Sequence, residues 1–212
     1  MTHVRELKKF VVGPLNTNLY LLISGSEAVI IDPGEMSAEL VEYVKSQRII
    51  IKYALATHGH FDHINEAGRV CELFGCRFFI HEKDAHMVDK NPESMEALIG
   101  IRGETITDLK TFSDRTEFRF GDEKIKVMET PGHTHGSTCF VSQELMFSGD
   151  TLFRGTIGRT DIGGSGREMA RTLKTIMSMG ENLRIYPGHG PETMLDHEKK
   201  TNQFMLNPDL AL

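Results

Sequence analysis

Residues 57–63 read Thr-His-Gly-His-Phe-Asp-His and follow directly on an apolar stretch that ends in Tyr53-Ala54-Leu55-Ala56. Side chains at i, i+2 and i+4 of an extended segment point the same way, so His58, His60 and Asp62 converge if the chain leaving the strand stays extended. His63 then opens a helix, where the positive end of the dipole favours a neutral imidazole. An N-cap would account for Asp62 and a strand-end role for one histidine, but packing alone asks for no such cluster of four. A shared dication does account for it, because it stabilises donors that would repel one another as imidazolium ions.

A metal site draws on more than one loop, and matching donors recur downstream. His133 lies in TPGHTHGS after the strand that ends at Glu129-Thr130, Asp150 in FSGDTLF after ELMF, and His189 in YPGHGPE after LRIY. Each stands at the C-terminal end of a predicted strand and beside glycine, which allows the backbone to approach a ligand closely. His58, His60, Asp62, His63, His133, Asp150 and His189 together are enough for two metals.

The rest of the chain predicts a layered fold. LKKFVV, LYLLIS and AVIID form a strand meander broken at Gly13-Pro14, Gly25 and Pro33-Gly34. Leu40, Val41 and Val44 share a helical face over Ser37–Gln47 with Ser37 as N-cap, and a second helix runs from the histidine cluster to about Gly75. The strand RFFIH follows. Residues 82–115 are polar, are read as helical in pieces with Pro92 starting one, and are a possible cap beside the site. Strands then resume at EFRF, EKIKVMET, STCFVS and ELMFSG, before a glycine-rich loop, a helix over about Arg167–Met179, the strand LRIY and a last helix. Strands followed by helices in both halves favour two sheets packed face to face with helices outside.

With 212 residues, 39% of them apolar and 25% charged, the chain can bury a sizeable core, and residues 1–212 are expected to form one domain. A net charge of -6 with no basic stripe argues against nucleic acid as a partner. No leader is evident and no stretch approaches the ~20 apolar residues that span a bilayer, so a cytoplasmic protein without a membrane partner is expected. Cys71, Cys76 and Cys139 are odd in number and form no C-x-x-C pair, which predicts reduced, mostly buried thiols.

Taken together, THGHFDH, the His of TPGHTHGS, the Asp of SGDTLF and the His of PGHGPE resemble the metallo-β-lactamase superfamily in order and spacing, over essentially the whole chain. The resemblance implies an α/β fold, a four-layer αββα sandwich of two packed mixed sheets with helices outside and a dinuclear site at one edge. It places His58, His60 and His133 on a first metal, Asp62, His63 and His189 on a second, and Asp150 between them. It favours zinc, although iron and manganese also suit histidine and carboxylate donors. TLFRGTIGRTDIGGS and PGHGPETMLDHEKKTNQF look like the glyoxalase II-related group of short hydrolases. That likeness implies hydrolysis of a small acyl thioester by a metal-bridging hydroxide, with one metal polarising the carbonyl, the other stabilising the thiolate, and Asp62 orienting the hydroxide. Full-length glyoxalase II enzymes carry a further C-terminal helical domain that helps hold glutathione. The sequence stops at Leu212, soon after His189, so little dependence on the glutathione carrier is expected. GRTD also resembles the persulfide dioxygenases, and the alternative is a mononuclear iron oxidoreductase of that kind.

Other residues carry weaker readings. His135 faces either the pocket or the surface; His81 and His86 are read as structural and solvated. Arg154, Arg159 and Asp161 either recognise an anionic substrate or pair to fix their loop, with the Arg–Asp pair preferred. Asp32 resembles the family's structural aspartate and is expected to support the metal loops from behind. Cys139, inside STCFVS, is read as a small core residue.

Overall fold

The computed structural model describes residues 5–88, 106 and 109–212. The first sheet has the order β1-β2-β3-β4-β5-β6, comprising Arg5–Val12, Thr17–Ser24, Glu27–Ile31, Ile50–Leu55, Arg77–His81 and Leu109–Phe112. Its first three strands form an antiparallel meander, and β3 to β6 run parallel. The second sheet contains β7 (Glu117–Phe120), β8 (Glu123–Glu129), β9 (Thr138–Ser142), β10 (Leu145–Gly149), β13 (Arg184–Pro187) and β14 (Thr193–Met194), in the order β14-β13-β10-β9-β8-β7. Both sheets are therefore mixed.

Strand β2 shows why the layers stack as they do. All eight of its residues are buried. Leu19, Leu21 and Ile23 pack under the outer helices, whereas Tyr20 and Leu22 face the opposite sheet, where they meet Phe118, Phe120, Phe140 and Phe147. A strand apolar on both faces must be covered on both. Helices α1 (Ala38–Ser46) and α3 (Ala67–Phe74) cover the first sheet through Leu40, Val44 and Val70. The second sheet is covered by α5 (Gly166–Met177) and α6 (Leu195–Thr201) through Met169, Leu173, Ile176 and Leu195. Ser37 caps α1 by accepting from the Leu40 amide at 3.0 Å, and Gly75, at φ 68°, closes α3 in the left-handed conformation, both as predicted.

Two strand features depart from the sequence reading. Within 82–115, Leu109–Phe112 is not helical but pairs with β5 as the edge strand β6; only α4 (Ala85–Val88) is helical among that segment's described residues, and Pro92 lies outside them. The glycine-rich loop after Asp150 holds a short hairpin, β11 (Leu152–Phe153) and β12 (Thr156–Ile157). Neither piece is long enough for periodicity to reveal it.

The sheets are tied together at the edge where β4, β8, β10 and β13 end. The Thr138 amide donates to the Thr57 carbonyl at 2.9 Å and Asn18 to Gly188 at 2.7 Å, while Gly188 to Gly149 at 2.8 Å joins β13 to β10 within the second sheet. Among the described residues, no helix is long and apolar enough to cross a membrane.

Candidate metal centre

All seven predicted donors come together at this edge. His58 lies in the bend after β4, and His60, in extended backbone, is the N-cap of the four-residue helix α2 (Phe61–Ile64), which carries Asp62 and His63. His133, Asp150 and His189 arrive on the loops after β8, β10 and β13. Three overlapping groups result: His58, His60 and His133; His58, His63 and Asp150; and Asp62, His63 and His189. Within each group the donor atoms lie within 4.8 Å of one another.

The outer hydrogen bonds fix which nitrogen of each ring faces inward. Thr57 Oγ1 donates to Asp32 Oδ2 at 2.9 Å, so it accepts from His58 Nδ1 at 3.1 Å. His60 Nε2 donates to the Ile162 carbonyl at 3.2 Å, and His133 Nδ1 to that of Arg159 at 2.6 Å. As neutral rings they then turn three lone pairs on one another: His60 Nδ1 stands 3.1 Å from His58 Nε2 and 2.8 Å from His133 Nε2. Lone pairs at that separation suit a cation between them. The Asp62, His63 and His189 group is arranged alike, with His63 Nδ1 on Asp32 Oδ2 at 2.9 Å, His189 Nδ1 on the Leu15 carbonyl at 3.2 Å, and the two Nε2 atoms 3.3 Å apart.

Charge separates the two groups. Burial and the neighbouring imidazoles depress the pKa values of His58, His60 and His133, that of His133 to about 4. Burial also disfavours the charged form of His63, but the Asp32, Asp150 and Asp62 carboxylates outweigh it and raise the group to about 10. The helix-dipole expectation of a neutral His63 is thus overturned in the metal-free protein, because three close carboxylates exceed the field of a one-turn helix. A metal must displace that proton. Burial works against ionisation of Asp62 as well, yet His63, His189 and the Thr17 hydroxyl, 2.8 Å from Oδ2, hold it below the usual carboxylate range. Asp150 is pushed up to about 6, chiefly by burial.

Asp150 supplies the sharpest indication of a ligand. Its Oδ1 is the only buried side-chain nitrogen or oxygen without a hydrogen-bond partner among the described residues. Gly188 keeps that oxygen accessible, since a Cβ there would stand 2.1 Å from it and 2.6 Å from His63 Cε1. The donor set and the orphaned carboxylate oxygen are consistent with a dinuclear metal site.

The family comparison matches the same residues: the description "Metallo-beta-lactamase superfamily" fits residues 12–203. The chain belongs to this superfamily. Among solved metallo-β-lactamase-fold structures, that of the BLEG-1 B3 metallo-beta-lactamase superposes with a TM-score of 0.83 at 32% identity, covering 94% of this chain and 99% of that one. TTHA1623, solved in a di-iron-bound form, gives 0.83 at 30%, covering 93% and 99%. In sequence the chain is 30% identical to the Bacillus subtilis protein named "Probable metallo-hydrolase YqgX", over 93% of this chain and 96% of that protein. It is 29% identical to the hydroxyacylglutathione hydrolase GloC of Haemophilus influenzae, over 84% and 87%.

The weaker predictions divide. Asp32, buried and at φ 56°, accepts from the Thr57 amide, the Thr57 hydroxyl and His63, as expected of a support for the superfamily's metal loops. Arg159 pairs with Asp161 through Nε and Nη2, both at 2.6 Å, the preferred structural pairing. His135 points away to Glu168 at 2.7 Å. His86 is exposed on α4, but His81 is buried rather than solvated, held by Glu129 at 2.8 Å. Arg154 lines a surface cavity with Arg184, Glu192 and His197. Cys139 is fully buried and its thiol is pushed up to about 11 by that burial, which suits a core residue; Cys71 and Cys76 are thiols only half buried. Sequence reasoning passed over Asp84, a buried carboxylate at the turn after β5. Its signal was the same strand-end placement, in HEKDAH.

Proposed function

We propose that the chain is a dinuclear-metal hydrolase of small acyl thioesters. The observation that carries this reading is the pair of adjacent donor groups beside one carboxylate whose inner oxygen has no partner; the likeness to GloC supports the thioester class. His58, His60 and His133 would hold one ion, Asp62, His63 and His189 the other, with Asp150 between. Bound ions would supply Lewis acidity towards a carbonyl oxygen and acidify a water to near neutral pH. Zinc is proposed first; the di-iron form of TTHA1623 supports iron as the competitor.

The chain's own groups account for the remaining work. Asp62 stays ionised, and its Oδ2 lies 2.8 Å from the Thr17 hydroxyl and 3.3 Å from His189 Nε2, so it is held in place to orient a water as a hydrogen-bond acceptor. Cys139 does not serve as nucleophile here, since it is buried within β9 with its thiolate disfavoured. A thiolate leaves without prior protonation, which lightens the demand on a general acid. An amine leaving group would require protonation as it departs. The likeness to BLEG-1 supports that second reading, β-lactam hydrolysis.

The test is turnover by the zinc- and iron-loaded protein on S-lactoylglutathione, a simple acyl thioester and a chromogenic β-lactam, with oxygen consumption followed on a persulfide in parallel. Thioester cleavage far above the other activities is expected. A loaded protein that consumes oxygen or opens only the lactam would overturn the proposal.

A further inference from the structure

The three-histidine group brings no charge of its own to a dication, whereas its neighbour includes Asp62. It is also assembled from two loops on different sheets, His58-Gly59-His60 after β4 and His133-Thr134-His135-Gly136 after β8. One buried group touches both loops. Asp84, 1% exposed, accepts from the Gly59 amide on Oδ2 at 3.0 Å, from the Thr134 hydroxyl on the same oxygen at 2.6 Å, and from the Gly136 amide on Oδ1 at 2.8 Å. Gly59 is the residue between the two ligating histidines of the first loop, and Thr134 and Gly136 follow the ligating histidine of the second.

The contact is close enough to dictate neighbouring residue types. A Cβ on Gly136 would lie 2.5 Å from Asp84 Cγ, so only glycine lets the second loop reach the carboxylate. Thr134 is fixed twice over, its amide donating to Ser137 Oγ at 2.9 Å while its hydroxyl serves Asp84. Asp84 is held in turn by its own amide on the His81 carbonyl at 2.9 Å. Among the described residues no lysine, arginine or histidine forms an ion pair with it. Three donors on two oxygens suit a carboxylate, since a neutral amide has one acceptor oxygen and would turn its NH2 on a donor.

We propose that Asp84 is the positioning residue of the His58, His60 and His133 group, clamping the two loops that carry these rings and placing a negative charge behind the ion they hold. Asp32, by contrast, reaches both groups, His63 directly and His58 through the Thr57 hydroxyl. The inference rests on the dinuclear reading above. Asp84 touches no donor ring and no substrate; it acts through the backbone of the two loops.

The experiment reads zinc affinity by competition with a chromophoric chelator, in single-site backgrounds. His189→Ala leaves the His58, His60 and His133 ion, and His133→Ala leaves its neighbour. Adding Asp84→Asn to His189→Ala should weaken zinc by about 10–100-fold, the usual effect of losing a group that orients a metal ligand. Adding it to His133→Ala should change affinity less than threefold. Asp32→Asn, at a residue that touches His63 directly and His58 through Thr57, should weaken both ions and so lack the selectivity expected of Asp84→Asn. Thr134→Val, which removes one donor and no charge, should weaken the first ion by a smaller factor; it decides the matter if Asp84→Asn does not fold. Equal weakening of both ions would mark Asp84 as a general folding residue and overturn the proposal, as would wild-type affinity at the first site. Turnover is not the readout, so failure of the thioester reading shows separately, as a fully loaded chain without thioesterase activity.

Discussion

The two donor groups share an edge and a carboxylate, yet prepare for a cation in opposite ways. In the three-histidine group the rings are already neutral, and their lone pairs converge. In the other, Asp62 is ionised, His63 is raised to about 10 and the proton is part of what holds the metal-free arrangement together. The difference follows from where the carboxylates lie. Asp32, Asp62 and Asp150 all approach His63, while Asp84 reaches the three-histidine group only through backbone amides and a threonine hydroxyl. One site is preformed for a metal; its neighbour must exchange a proton for one.

The largest expected effect concerns Asp62, the group proposed to orient the attacking water. Asp62→Asn should lower kcat on a thioester by about 10²-fold, the size of loss that follows when a reacting group is misplaced. Steady-state kinetics on zinc-loaded protein check this, and turnover within a few-fold of wild type would remove Asp62 from the chemistry.

Next in size is the separation of the sites themselves. His133→Ala and His189→Ala should each retain one zinc of two after gel filtration, measured by mass spectrometry of the metal content. Two zincs in both variants would mean that neither ring is a ligand.

The pH dependence sharpens the comparison further. Between pH 7 and 9 the three-histidine group has no proton to lose, so zinc affinity in His189→Ala should stay flat. In His133→Ala it should rise by about tenfold per pH unit, because binding releases the His63 proton. Equal slopes would erase the distinction. Stability of the metal-free protein follows the same groups with opposite signs. His63, raised to about 10, stabilises fully below its unfolded value of ~6.5, and that contribution is lost as pH climbs through about 10. His133, lowered to about 4, withdraws stability as pH falls from ~6.5 towards about 4. Thermal unfolding in chelator should therefore show both flanks.

The smallest effect concerns the substrate. Arg159 already spends its guanidinium fork on Asp161, so that cation is not free to grip a carboxylate of the carrier. Shortening glutathione to a simple thiol should cost less than tenfold in kcat/KM, or ~1.4 kcal/mol. A larger loss would show that the carrier is specifically recognised.

Most of this was legible in the sequence where two signals coincided. Strands apolar on both faces, such as LYLLIS, and polar donors set at their ends defined the layers and all seven site residues. The hairpin at Leu152–Ile157 and the strand LKTF were not legible, because strands of two to four residues are made by pairing with neighbours rather than by their own pattern. The protonation of His63 escaped for a related reason. A local rule about helix ends cannot register Asp32 and Asp150, which lie 31 and 87 positions away along the chain. Asp84 was hidden by its setting in a segment read as a polar cap.

Each donor group takes residues from both sheets: His58 and His60 with His133 in one, Asp62 and His63 with His189 in the other. An ion bound in either place would be a rivet through the sandwich. Each one held at a hundredfold over its dissociation constant adds about 2.7 kcal/mol to the work of prising the halves apart. Metal supply thereby becomes a control on lifetime as well as on activity. A chain left without metal is the one expected to open to proteases, and pulse proteolysis with and without chelator should show the metal-free population cleaved first.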